Sequence, residues 1–537
     1  MMIIGYDVWC LDSPAQAYDF TMTCPSDQPE MVLAEVQRLY EAGLYLDSFA
    51  AGQVLGDIRQ WPGNTGQILA GRLAYNLGAP RLGRAIHWLA QRRWPDDPLS
   101  MYYGSMANWA RMGSYHTWCK IAQKELPPDA DIQLQADWAA LKAVILGLQR
   151  DFSRADQWMQ RALELTPDSP WLQVELSDLL DRQDRHQEGL EAALRALELK
   201  PWYRPAVQSA GYKLVQLRRD QEALELLSSA AVRLQSGEVW CQLAMLQMEL
   251  KKFDAAWQSI QNAQAHWPLA SADSAHQKWL TAQMSDLAYF RGDYQQSLEL
   301  ARRLDRPFYQ QLVEKLERAL SQQTAPESPR IQLSVPFVRQ HHETCAPATL
   351  TALALYWNQP AEHDTIAQRI CYEGTAACDE RRWAEDNGFL AREFRITQES
   401  AERLIRAGIP FTLNTVEPGS AHLQSVVGID VYRGTLLIQD PGERHVGEAS
   451  LDKLLEHYSS TGPRGMASVP KDQAQRLNGI ELADAPLYDL LYQVDCSLTQ
   501  HQRSNAWRAI EQMIQLSPDH RLTLHAPTEV ARNDGHS

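Results

Sequence analysis

The chain has 537 residues, 45% of them hydrophobic and 22% charged, which is enough apolar material for several cores and excludes a single small domain, a collagen-like chain and bulk disorder. Its 51 lysines and arginines face 67 aspartates and glutamates, and the net charge of −16 would repel a phosphate backbone, so nucleic acid is excluded as the main partner. The eight cysteines show no CxxC pair and no His/Cys spacing suited to zinc, so neither a disulfide scaffold nor a metal site or other cofactor is expected.

Residues 1–28 read as an N-terminal extension. Its opening MMIIGYDVWC has no basic region and too short an apolar stretch for an export signal, which points to a cytoplasmic protein. The charge-free run from Thr344 to Ala361 is broken by Pro347 and Pro360, and no membrane span is expected.

From residue 29 to 322 the sequence is periodic. Prolines that end helical stretches stand at 62, 95, 128, 167, 201 and 268, with Gln235 where another would fall, giving steps of 33, 33, 39, 34, 34 and 33 residues. Small residues recur in register, as in Ala155 and Ala162, Gly189 and Ala196, Ala223 and Ala230, and Ala256 and Ala263. A small residue lets two helices of a hairpin approach closely, and the proline stops the second helix. The step of 39 predicts a local insertion, and the unit around Gly292, Ser297 and Ala301 closes the array. A further copy is predicted at 487–518, within a C-terminal helical segment 471–525 that is followed by a flexible tail, 526–537. This pattern resembles the tetratricopeptide repeat. The resemblance implies a curved solenoid with a groove for a protein or peptide; oligomeric state is not encoded in it. The 17 tryptophans fall mostly at repeat-core or helix-end positions, which explains them without stacked sugars or bases.

Between 322 and 470 the period vanishes. SQQTAPESPR (321–330) reads as a linker, and a different domain follows at 331–470: a strand-like IQLSVPFV, helical stretches to about 408, then extended apolar runs at 409–416 and 422–439 divided by Arg433-Gly434. Helices first and strands afterwards predict an α+β domain. Within it, Cys345 stands just before apolar residues at helical spacing, Ala346, Leu350, Leu353, Ala354 and Trp357. A thiol at a helix start is favoured as the thiolate, the nucleophilic form. Thr344 is placed to cap that helix, Pro347 suits its first turn, and Gln340 lies near enough to help stabilise an oxyanion with the Cys345 amide. His422 opens one apolar strand and Asp440 closes the next, which makes them the candidate base and orienting group, although strict pairing about Arg433-Gly434 leaves them offset by several residues. His341 and His342 are adjacent in an extended stretch and are expected to point apart rather than share a metal with Glu343.

Gln340, Cys345 with its APATL helix, His422, and the strand ending in Asp440-Pro441 together resemble the C39-like peptidases, which are papain-fold cysteine peptidases. The similarity covers about residues 333–460, including a helix at SLDKLLEHY. It implies Cys345 as nucleophile, His422 as general base and later acid, Asp440 as orienter and Gln340 in the oxyanion hole. Ala346 stands where the family commonly has glycine, and Leu423 where it often has an aromatic. In combination with tetratricopeptide-like repeats the resemblance implies a bacterial cysteine peptidase whose array recruits a protein or peptide substrate. A thiol acyltransferase or modifier-removing enzyme would use the same intermediate, and a non-catalytic adaptor would use the same scaffold.

Overall fold

The computed structural model describes residues 29–272, 274–322, 330–417 and 419–535. The predicted extension at 1–28 and most of the predicted linker lie outside the described residues. The chain divides into two compact units, one reaching Leu316 and one running Glu317–Ser537.

The first unit is a stack of helical hairpins. In chain order these are α1 (Pro29–Glu41) with α2 (Tyr45–Gly52), α3 (Gly63–Asn76) with α4 (Pro80–Arg93), and α5 (Pro98–Ile121), which breaks into two arms at Gly113. Next come α6 (Ile132–Leu148) with α7 (Phe152–Leu165), α8 (Pro170–Arg182) with α9 (His186–Leu199), and α10 (Arg204–Gln216) with α11 (Asp220–Ala231). Then follow α12 (Gly237–Glu249) with α13 (Phe253–Ala265), α14 (Ser274–Phe290) with α15 (Tyr294–Ala301), and α16 (Pro307–Ser321).

The proline register marks the breaks between these tetratricopeptide-like hairpins, and the turn inside each hairpin carries its own marker. Arg150, Asp184, Arg218 and Lys251 all have positive φ, between 56° and 62°, at equivalent places. The small residues are the close-approach points: Ala155, Ala162, Ala196, Ala223 and Ala230 are each fully buried. A side chain on Gly189 would meet the Ser177 carbonyl oxygen at 2.9 Å. The insertion predicted from the 39-residue step is mostly one extra helical turn, since α6 has 17 residues where α8, α10 and α12 have 13. This unit also curls until distant hairpins touch. The Gln235 N–H donates to the Gly43 carbonyl at 3.0 Å, its side chain bonds Asp47, and the Leu269 N–H donates to the Leu77 carbonyl at 3.0 Å.

The second unit begins with β1 (Arg330–Gln332), shorter than the strand expected over 331–338. α17 (Cys345–Tyr356), α18 (His363–Ile370) and α19 (Ala377–Asp386) follow, then β2 (Phe389–Arg395), α20 (Gln398–Arg406), β3 (Phe411–Glu417), β4 (Ser420–Asp430) and β5 (Thr435–Gln439). The unit continues through β6 (Val446–Ser450), α21 (Leu451–His457) and β7 (Arg464–Pro470) to α22 (Ala485–Thr499), α23 (Arg503–Leu516) and α24 (Arg521–Asn533). The strands form one antiparallel sheet in the order β2-β7-β3-β4-β5-β6, with β1 pairing the far half of β4 beyond β3. β2 interrupts the stretch read from sequence as helical. Gly388 (φ 88°) ends α19, and the alternately buried FLAREFR then pairs along the whole of β7.

α17 to α20 pack on the sheet around Leu350, Trp357, Trp383, Phe394, Leu404 and Phe411. α22 and α23 form the further hairpin expected near 487–518, with Ala506 and Ile510 fully buried. α24 runs to Asn533, so helix occupies part of the segment expected to be a flexible tail; apolar residues at Leu522, Ala526 and Val530 bury it against its neighbours. Ion pairs Arg381–Asp489 (2.7 Å) and Arg395–Asp484 (2.8 Å) fasten this end to the sheet region. No helix among the described residues is long and apolar enough to cross a membrane.

Candidate active site

Cys345 is the first residue of α17, and the run from Ala346 to Ala354 behind it is buried. Glu343 takes a positive φ (60°) to turn the chain into the helix, and the Cys371 thiol donates to the Glu343 carbonyl at 3.2 Å, fixing that turn. Pro347 sits at the third helical position, where a missing N–H costs no intrahelical bond. The expected cap by Thr344 is not formed. Its hydroxyl turns back to accept the His341 N–H (2.9 Å) and to donate to the His341 carbonyl (3.1 Å), leaving the first amides of α17 without a side-chain cap. Those amides stay available at the end of the helix where they favour negative charge.

One turn further on, Thr349 donates its hydroxyl to the Leu423 carbonyl at 3.0 Å. The bond joins the helix that carries the thiol to the strand that carries His422, at the residue next to the histidine. The Cys345 sulfur lies beside the His422 ring, close enough to strengthen that ring's hold on a proton. The other side of the ring is taken by Asp440, whose Oδ2 lies 2.8 Å from His422 Nε2, which leaves Nδ1 for the thiol.

The offset expected between His422 and Asp440 is resolved by a bulge. From the turn, β4 and β5 pair Asp430 with Thr435 and Gly428 with Leu437, but beyond Val427 the register slips by one, so Val426 faces Ile438 and Ser425 faces Gln439. Continued by one residue, Asp440 comes opposite Gln424, and His422 stands two residues on, on the same face and within diagonal reach. Asp440 therefore receives both side chains: Gln424 Nε2 donates to the same Oδ2 at 2.5 Å, and the Gly442 N–H donates to Oδ1 at 2.7 Å. Gly428 permits the crowding behind the bulge, because a side chain there would sit 2.3 Å from the Ile331 carbonyl oxygen of β1.

Gln340 reaches the same turn. Its N–H donates to the Pro441 carbonyl at 2.9 Å, and its side-chain amide nitrogen lies 3.9 Å from the space a side chain at Gly442 would fill. All four residues singled out in the sequence thus belong to two adjoining places, the start of α17 and the β4–β5 end. Gln424 and Thr349 were not legible as members of the site. The i, i+2 spacing of Gln424 from His422 puts both on one strand face, which is the signal that could have found it.

The electrostatics follow from these contacts. Burial alone would lower the pKa of His422, but the hydrogen bond to Asp440, the neighbouring Cys345 sulfur and the carboxylate charge outweigh it and raise the value to about 10. Burial works against the Asp440 carboxylate as well, yet His422, the Gly442 N–H and Gln424 hold it below the usual carboxylate range. At neutral pH His422 is therefore an imidazolium between a carboxylate and a sulfur. The described cysteines are free thiols, Cys371 and Cys378 among them. One group within this unit, His341, His363 and Asp364, has the chemistry to hold a cation.

Residues 332–466 match the Peptidase_C39 like family. That span runs from β1 into β7 and contains Gln340, Cys345, Thr349, His422, Gln424 and Asp440. Among solved structures, the chain is similar to the peptidase domain of Streptococcus ComA, a bi-functional ABC transporter involved in quorum sensing, at 20% identity and a TM-score of 0.22 over 26% of this chain and 99% of that one. It is similar to Pseudomonas aeruginosa PilF at 15% identity and a TM-score of 0.30, over 44% of this chain and 99% of that one. A third likeness is to the Cut9–Hcn1 hetero-tetramer of APC/C, at 13% identity and a TM-score of 0.33; it covers 53% of this chain but only 55% of that chain. No curated protein matches the chain.

Proposed function

We propose that the C39-like region is a cysteine peptidase whose nucleophile is Cys345. The observation that carries the reading is the succession of thiol, imidazole and carboxylate, with Cys345 at a helix N-terminus beside the His422 ring and His422 Nε2 2.8 Å from Asp440 Oδ2. In this reading the proton of Cys345 rests on His422, and the thiolate attacks a peptide carbonyl carbon. The oxyanion that forms is held by the Cys345 N–H and by the amide of Gln340. His422 then gives its proton to the departing amine, leaving a thioester, and a water molecule deprotonated by His422 releases the acyl group and restores the thiol. Asp440 keeps the ring oriented and its charge balanced, and Gln424 and the Gly442 N–H keep Asp440 in place. The helical array recruits the protein or peptide to be cut, as the stacked hairpins of such arrays offer a long curved surface.

The test is competitive alkylation with iodoacetamide at neutral pH, followed by peptide mass spectrometry on the native full-length chain. Cys345 is expected to react faster than every other cysteine, and to lose that advantage in His422→Ala. Equal rates across the cysteines of the folded chain would overturn the assignment. Product analysis on a peptide library then separates hydrolysis, with a free carboxylate product, from transfer to an amine.

A further inference from the structure

The turn that precedes Cys345 carries a second cluster, which the peptidase reading does not use. His341 Nε2 lies 3.5 Å from Asp364 Oδ1, and His363 Nδ1 lies 3.6 Å from the same oxygen. The two imidazoles pack against each other tilted by 35°, with ring centres 4.9 Å apart. Two partners of His341 are thus on α18, while His342 turns to Glu343.

Thr344 holds His363 by the ring nitrogen that faces away from Asp364. The threonine hydroxyl lies 3.1 Å from the His341 carbonyl and 2.9 Å from His363 Nε2, so it ties the two histidines together. Histidine ligands of metals are held in the same way, with the second ring nitrogen donating to an oxygen that fixes the tautomer.

The spacing fits one class of cation. Zinc ligand bonds of about 2.0–2.2 Å in tetrahedral geometry put neighbouring donor atoms about 3.3–3.6 Å apart. Two of the three donor separations here are 3.5 and 3.6 Å, and all three donor atoms lie within 4.8 Å of one another. Two imidazole nitrogens and one carboxylate oxygen suit zinc and its neighbours in the first transition row better than calcium or magnesium, which take oxygen. We propose that His341, His363 and Asp364 form a binding site for a divalent cation of the zinc class, with Thr344 as the residue that presets it, immediately ahead of the thiol.

The experiment uses the full-length Cys345→Ser chain, so that the adjacent sulfur cannot supply a ligand and peptidase activity plays no part in the readout. Zn2+ is titrated in competition with a chromophoric chelator, and Co2+ is titrated separately for the visible absorption of tetrahedral coordination. One equivalent is expected, weakened about tenfold or more by Asp364→Asn and by His363→Ala, with the cobalt band lost in both. Asp364 is 66% exposed, so Asp364→Asn tests the site even if the histidine variant misfolds, and circular dichroism reports which has occurred. Undiminished Zn2+ affinity in a folded Asp364→Asn chain, or no Zn2+ bound by the parent chain, would overturn the proposal. Either result leaves the reactivity of Cys345 as a separate question.

Discussion

The helical array and the C39-like region hold their key residues in place by contacts of very different reach. In the array, the Ser177 hydroxyl bonds a carbonyl 12 residues away, on the next helix of its own hairpin, and a serine 32 residues away, on the next hairpin. At the candidate site, the bond from Thr349 to Leu423 spans 74 residues, and the thiol depends on a histidine and a carboxylate brought by two later strands. A substitution in the array should therefore be felt as lost stability of that unit. At the site it should be felt as lost chemistry, transmitted through the sheet.

The sharpest way to break that contrast is to remove the reacting groups. Cys345→Ser or His422→Ala should lower kcat/KM on a cleaved peptide by about 10³-fold or more while the thermal unfolding of the chain changes little. The same histidine gives the pH dependence. With its folded pKa at about 10, it can act as the acid that protonates the leaving amine only below that value, so kcat should fall as the pH climbs through about 10. Because the folded chain binds this proton more tightly than the ordinary value of 6.5, its stabilising effect is full below about pH 6.5 and is lost progressively towards pH 10.

The converse change is Leu227→Ala in the fully buried core of the array, expected to cost about 2–5 kcal/mol in urea unfolding of that unit while the alkylation rate of Cys345 is unchanged. A fall in the cysteine's reactivity would show that the two kinds of contact are not separate. Gln424→Ala should be milder. Losing one hydrogen bond to a charged group, worth about 1.5 kcal/mol, is expected to reduce kcat about tenfold with KM unchanged. Mildest is Thr349→Val, where the lost bond to Leu423 should cost about 1 kcal/mol of stability, with a few-fold loss of kcat that Thr349→Ser restores.

How much of this was legible follows the same division. The array announces itself because each proline and small residue acts on neighbours within one repeat, and even the 39-residue step maps onto the longer α6. In the second unit the placement of Cys345 at a helix start and the strands either side of Arg433-Gly434 could be read locally. β2 could not, because FLAREFR becomes a strand through its pairing with β7, some 75 residues on. Nor could the bulge beyond Val427, which a tight-turn register does not contain and which brings Asp440 opposite Gln424. Thr344 was read as a cap because its neighbours in sequence favour one; its hydroxyl instead closes back on the His341 backbone and meets His363.

The contact between Gly43 and Gln235 alters what kind of object the first unit is. An open stack of repeats couples only adjacent members, and its terminal repeats fray independently. Here the opening hairpin is also held by a connector nearly two hundred residues downstream, so loosening it forfeits bonds at both places. Hydrogen exchange at α1 and α2 should accordingly approach that of the middle of the stack, and denaturation should be closer to all-or-none than the linear arrangement of the repeats would suggest.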